Sequence, residues 1–112
     1  MNDYFDPADL KKFGTVGHPH AKELTEQFFK YYNAVTGSDG ALTRREKALI
    51  ALAVAHSEQC PYCIDAYSRD ALEKGSDLDQ MTEAVHVAAA IRGGASLVHG
   101  VQMRNRAGQL GM

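Results

Sequence analysis

Thr43-Arg44-Arg45-Glu46 and the run behind it, Lys47-Ala48-Leu49-Ile50-Ala51-Leu52-Ala53-Val54-Ala55, decide the fold. A threonine followed three residues later by a glutamate is a capping box. The hydroxyl accepts from the third helical N–H, and the carboxylate reaches back to the N–H of the cap. Directly before an apolar run, it predicts a helix that opens at Thr43 and runs to about His56 or Ser57. The run is apolar on nearly every side, so the helix needs burial all round. A small domain supplies that most easily by packing against neighbouring subunits as well as its own core. An all-α protein that forms a homo-oligomer is the expectation.

Upstream, Leu24, Phe28, Tyr31, Tyr32 and Val35 fall on one helical stripe. That helix is expected from Pro19 to the Gly37-Ser38-Asp39-Gly40 turn, behind a lead-in over residues 1–17 broken by Pro7, Gly14 and Gly17. Downstream, a third helix is predicted from near Cys60 to Lys74. It carries Ile64, Tyr67, Ala71 and Leu72 on one face and places Gly75 just past its end. Ser76 or Asp77 then caps a fourth, marked by Met81, Ala84, Val85, Val87, Ala88 and Ile91. Gly93-Gly94 predicts a kink or break before Leu97, Val98 and Val101 resume the period, and Arg104 and Arg106 suit a helix C-terminal end. No segment alternates with period two, and no internal repeat is visible.

At 112 residues the chain is read as one domain over 1–112. An apolar fraction of 45% with 23% charged residues excludes a disordered chain. Twelve Lys and Arg against fourteen Asp and Glu leave a formal charge of −2, with no excess field for nucleic acid or an anionic membrane. The longest apolar stretch, Ala48 to Ala55, is far short of a bilayer span, so no membrane partner is expected. The leading residues Met1 to Asp6 have neither the cationic nor the hydrophobic run of a secretory signal, which points to a cytoplasmic, reducing setting. There, Cys60 and Cys63 would not form a permanent staple.

Cys60-Pro61-Tyr62-Cys63 is a C-x-x-C pair at a predicted helix N-terminus, where unpaired N–H groups and the dipole stabilise a thiolate. A thiol of pKa about 8.5 is only ~3% ionised at pH 7, whereas one lowered to ~6.5 is roughly three-quarters ionised. Redox work is the leading reading of the pair. Two alternatives stand beside it: inert buried thiols, and a metal site in which His56 and either His86 or His99 complete a Cys₂His₂ set. No cofactor is implied. Tyr67, four residues after Cys63, is on the same helical face and can donate a hydrogen bond to a thiolate, or simply pack in the core. His56 can act as a base if the turn folds it over the cysteines, or pack. Glu46 is explained by its capping box, and any catalytic role is additional.

The stretch Arg45 to Ala55, followed by Cys60-Pro61-Tyr62-Cys63-Ile64-Asp65-Ala66 and continued by Glu83 to Ala90, resembles the carboxymuconolactone decarboxylase family in its redox-active, AhpD-like alkylhydroperoxidase branch. The resemblance implies a helical protomer assembled as a trimer or hexamer. It also implies a peroxidase that reduces a hydroperoxide through a Cys60/Cys63 dithiol–disulfide cycle renewed by an external dithiol reductant. The peroxidase branch carries C-x-x-C-x-x-x-H with a glutamate twelve residues before the first cysteine. Those two relay positions are Tyr67 and Ala48 here, so the chain departs at both and keeps the dithiol. Tyr67→His is expected to restore a relay only together with Ala48→Glu. Cys60 to Tyr67 with Ile91 to Gly100 is also similar to a peroxidase-like subgroup associated with arsenosugar biosynthesis. The decarboxylase members generally lack the cysteine pair. A redox-sensing or zinc-binding oligomeric module that uses the same dithiol without catalysis is the competing expectation.

Overall fold

The computed structural model describes residues 4–111; Met1-Asn2-Asp3, the start of the leading segment read above, and Met112 lie outside them. A 3-10 helix, Pro7–Gly17, is followed by α1 (Lys22–Thr36), α2 (Arg44–Ser57), α3 (Pro61–Glu73) and α4 (Leu78–Gln109), with no strand among the described residues. The chain is all-α, as its periodicity requires. The capping box of α2 is formed in both directions, Glu46 N–H donating to Thr43 Oγ1 at 3.1 Å and Thr43 N–H to Glu46 Oε1 at 2.9 Å. Asp77, rather than Ser76, opens α4 with a second box. Gln80 N–H donates to Asp77 Oδ1 at 2.8 Å, and Asp77 N–H to Gln80 Oε1 at 3.0 Å.

The joints on either side of α3 are built alike. After α2, Gln59 N–H donates to His56 O at 3.1 Å and Cys60 N–H to Ala55 O at 3.1 Å. After α3, Gly75 N–H donates to Leu72 O at 3.1 Å and Ser76 N–H to Ala71 O at 2.9 Å. Each is a Schellman pair, which requires its pivot residue in the left-handed region. Gly75 adopts φ 96° at no steric cost, whereas Gln59 adopts φ 55° with a side chain attached.

Three expectations are corrected. The lead-in is not broken at Gly14: Asp6 caps it by accepting from Ala8 N–H at 3.0 Å, and Pro7 starts a 3-10 helix that runs to Gly17. Next, α1 begins at Lys22, with Pro19 in the turn before it. Finally, α4 passes straight through Gly93-Gly94 as one helix of 32 residues. A glycine inside a helix costs about 1 kcal/mol relative to alanine but keeps its N–H and C=O in the ladder, so without a competing contact it does not stop the helix.

The centre of the packing is α2, which lies against both α3 and α4 while those two scarcely touch each other. Ala48, Leu52, Ala71 and Met81 form the core, with Leu49 and Tyr67 packed against it. By contrast, α1 buries no residue. It is held by Phe29 against Phe13 of the 3-10 helix, ring centroids 4.9 Å apart, and by Lys47 Nζ, which donates to Val35 O and Ser38 O at its C-terminal end. Its apolar stripe faces outward, with Leu24 and Tyr31 each 69% exposed, and along α4 Ile91, Leu97 and Val98 are also exposed. The accessible surface is 8817 Å² for 12.2 kDa, against about 6,100 Å² for a compact monomer of that mass. The radius of gyration is 18.8 Å, where about 13 Å is usual. Alone, the chain leaves much of its apolar surface in water.

The two pivots respond oppositely to substitution. Gly75→Ala is expected to lower stability by about 1 kcal/mol, and Gln59→Gly to raise it by a few tenths, since relief of the left-handed strain exceeds the added chain entropy of the unfolded state. Urea unfolding of both variants at matched protein concentration checks the pair of signs.

Candidate active site

Cys60 belongs to two elements. Its N–H completes the Schellman pair that ends α2, and its side chain is the N-cap of α3, with Sγ accepting from Cys63 N–H at 3.2 Å. Pro61 occupies the first helical position, where its missing N–H costs nothing. The Cα atoms of Cys60 and Cys63 are 5.2 Å apart, and their sulfurs are joined as a disulfide. Both residues are half-buried. The α3 N-terminus thus presents its positive end to Cys60 Sγ, and this favours negative charge on that sulfur once the bond is reduced.

The other candidates sit at different distances from the pair. His56 lies in the last turn of α2, half-buried, where Nδ1–H donates to Leu52 O at 2.9 Å. A carbonyl only accepts, so this bond puts the proton of the neutral ring on Nδ1 and leaves Nε2 as the basic nitrogen. Glu46 is at the opposite end of α2, about 15 Å along the axis from His56 by helical rise, and is not brought to the dithiol within the chain. Its bonds to Thr43 hold its carboxyl below the usual carboxylate range. Tyr67 packs on the core, and its hydroxyl is hydrogen-bonded to that of Tyr32. Burial, then the nearby charge of Asp70, pushes Tyr32 above the usual phenol value. Ala48 is 2% exposed in the same cluster as Ala71, so a glutamate there would put a carboxylate into the tightest part of the core. An Ala48→Glu substitution therefore meets a desolvation penalty of several kcal/mol. Among the described residues no three of His, Cys, Asp and Glu are grouped to hold a metal ion.

An open cleft of about 560 Å³ borders the dithiol. Cys60, Tyr62 and Cys63 form one side, and Leu10, Phe13 and Val16 of the 3-10 helix face them. Tyr62, the third residue of the motif, points its hydroxyl at the 3-10 helix, 2.8 Å from Asp9 Oδ2 and 3.0 Å from Tyr4 O, with its ring edge-on to Phe5 at 4.8 Å. The Asp9 hydrogen bond, reinforced by burial and by the charge of Asp9, raises the Tyr62 pKa above the ordinary phenol value. A larger cleft of about 730 Å³ lies between the 3-10 helix and α1, beside His18, Lys22 and Phe29, and is lined by neither cysteine. Sequence reading missed Tyr62 and the 3-10 helix side of the cleft. Tyr62 was detectable, being inside the motif; Asp9, Leu10 and Phe13 lie some fifty residues away, and no spacing rule connects them.

Cys60 carries a capping role that can be separated from its redox chemistry. For the reduced protein, Cys60→Ser is expected to keep the cap and Cys60→Ala to lose it, making the alanine variant about 1 kcal/mol less stable than the serine variant. Urea unfolding of the two under reducing conditions measures the difference.

A stretch of 71 residues, 63% of the chain, is 45% identical to the protein described as uncharacterized protein 4 in the cox locus of Paracoccus denitrificans. That stretch spans 64% of the relative's own length. Residues 22–103, from the start of α1 through most of α4, match the family model of the carboxymuconolactone decarboxylase family. The match takes in the apolar helix, the dithiol and the long helix behind it, and the chain belongs to the carboxymuconolactone decarboxylase family.

Proposed function

We propose that the protein is a thiol-dependent peroxidase that reduces hydroperoxides through Cys60 and Cys63. The observation that carries this reading is the placement of a C-x-x-C pair, within disulfide reach, at a helix N-terminus beside an open apolar cleft. A thiolate of the pair attacks the terminal oxygen of the hydroperoxide. The O–O bond breaks, the leaving alkoxide takes a proton and departs as an alcohol, and the attacking sulfur becomes a sulfenic acid. The second thiol attacks that sulfur and expels water, leaving the Cys60–Cys63 disulfide. An external dithiol then returns two electrons and two protons. Its first sulfur attacks Cys63, because Cys60, stabilised by the Cys63 N–H, is the better leaving group. His56 Nε2 belongs to the imidazole nearest in sequence to the pair, and it serves proton transfer in place of the relay histidine that Tyr67 replaces.

Assembly belongs to the same proposal. The surface in excess of a compact monomer is roughly 2,700 Å², whereas a standard interface takes about 800 Å² from each partner. More than one interface per subunit is needed to cover it, which favours the trimer or hexamer over a dimer. The exposed stripe of α1 and the outer face of α4 supply the apolar contact area.

One equivalent of hydroperoxide is expected to convert the reduced protein to a single internal disulfide, a loss of two mass units. Either single cysteine-to-serine variant is expected to abolish that product, and the cysteine on which a dimedone-reactive sulfenic acid persists is the attacking sulfur. Appearance of sulfonic acid on one cysteine with a free thiol on the other, and no disulfide, would refute the cycle. Light scattering at micromolar concentration is expected to give a mass of three or six chains; a monomer mass would remove the assembly argument.

A further inference from the structure

The cleft beside the dithiol is walled by a segment of the same chain, and that wall is fastened to the motif itself. Leu10, Phe13 and Val16 face Cys60 and Cys63 across the opening. The segment is held at two points. Its far end is packed on α1: Phe13 lies edge-on to Phe29, and Gly17 is buried so closely that a Cβ there would meet Thr25 Oγ1 at 2.6 Å. Its near end is held by the Tyr62 hydroxyl on the Asp9 carboxylate, and Tyr62 stands between the two cysteines in the sequence. Both points lie within one eleven-residue 3-10 helix, a conformation whose poorer hydrogen bonds usually limit it to three or four residues. Two fixed ends joined by a weakly bonded stretch describe an element that opens locally at small cost when one end is released.

A hydroperoxide needs room for a few heavy atoms around the reacting oxygen, and the cleft of about 560 Å³ gives it. A protein dithiol has a larger requirement, because its backbone and neighbouring side chains must come in with the sulfur that attacks in line with the S–S bond. We infer that the segment Pro7–Gly17, pinned by Tyr62 and Asp9, is a size-selective cover over the dithiol: small oxidants pass under it, and a protein reductant must displace it. This rests on the reading of the pair as a peroxide-oxidised dithiol renewed from outside. In the step it controls, a thiolate of the reductant bonds to Cys63 Sγ and the Cys60–Cys63 bond breaks. Cys60 leaves as thiolate, and the second thiol of the reductant then closes its own disulfide and frees Cys63. Two electrons and two protons pass from the external dithiol to the pair. Tyr62 and Asp9 are positioning residues in this scheme, acting on access and not on the sulfur.

The test uses the reduced full-length protein and one reactive group carried at two sizes, N-ethylmaleimide and a polyethylene glycol maleimide of several kilodaltons. In Tyr62→Phe, which keeps the ring against Phe5 and deletes the hydroxyl, the large reagent is expected to react about fivefold faster than with wild type. The small reagent should change by less than about twofold, as when one charge-assisted hydrogen bond is removed from an opening equilibrium. Asp9→Ala, a change outside the helical core, is expected to give the same pattern and carries the test if the first variant does not fold. An unchanged rate with the large reagent in both variants would overturn the inference. So would equal acceleration of both reagents, since general loosening moves both alike. Because the readout is alkylation, it is independent of peroxide consumption: a protein inactive toward peroxide can still show the size discrimination, and an active peroxidase can fail to show it.

Discussion

The double duty of Cys60 is the constraint on which the rest of the site depends. Its N–H is spent closing the end of α2 on Ala55 O, and its sulfur is spent capping the start of α3 through Cys63 N–H. The redox pair is therefore not mounted on a loose loop: the atoms that bring the sulfurs together also join two helices. Gln59 pivots the joint in the left-handed region without the help of a glycine. That strain is tolerated because α2 packs on both α3 and α4 and because Arg92 of α4 donates to Ser57 O at the end of α2, holding the joint from outside. The residues that keep the joint in shape are thus spread over three helices.

The same packing explains why the peroxidase relay cannot be carried over position by position. Ala48 is buried against Ala71 and Leu52, where a small side chain lets α2 and α3 approach closely, and Tyr67 fills space beside that contact with its hydroxyl directed to Tyr32. In this chain the two positions serve the core. The polar groups on either side of the joint are His56 at the end of α2 and the Tyr62–Asp9 pair beside the cleft.

Apolar surface is distributed unevenly. Leu52 is 1% exposed, while the stripe of α1 and much of α4 lie in water, and the accessible area exceeds that of a compact monomer by nearly half. A helix of 32 residues has no partner of comparable length among the described residues, so its C-terminal half extends past the core that α2 provides. Subunit association, as proposed, is the economical way to cover these faces, and it would leave α2 and its two joints as the rigid centre of each protomer.

The sequence by itself determined the elements and their ends wherever a local rule was sufficient. The Thr43 capping box, Gly75 as the pivot after α3, the helix beginning at the C-x-x-C pair and the absence of period-two patterning were all readable, because each is decided by hydrogen bonds within five or six residues. The resemblance carried by Arg45–Ala55 and Cys60–Ala66 pointed to the family on the same local ground. What tertiary structure decided was whatever required residues far apart in the chain to meet. It turned the stripe of α1 outward, let α4 run on through Gly93-Gly94 and gave the Tyr67 hydroxyl to Tyr32. It also laid the 3-10 helix beside the dithiol, a contact across some fifty residues between an aspartate and a tyrosine that mark no motif. Such contacts depend on which apolar faces win the limited burial available, and that competition is settled by the packing of the whole chain.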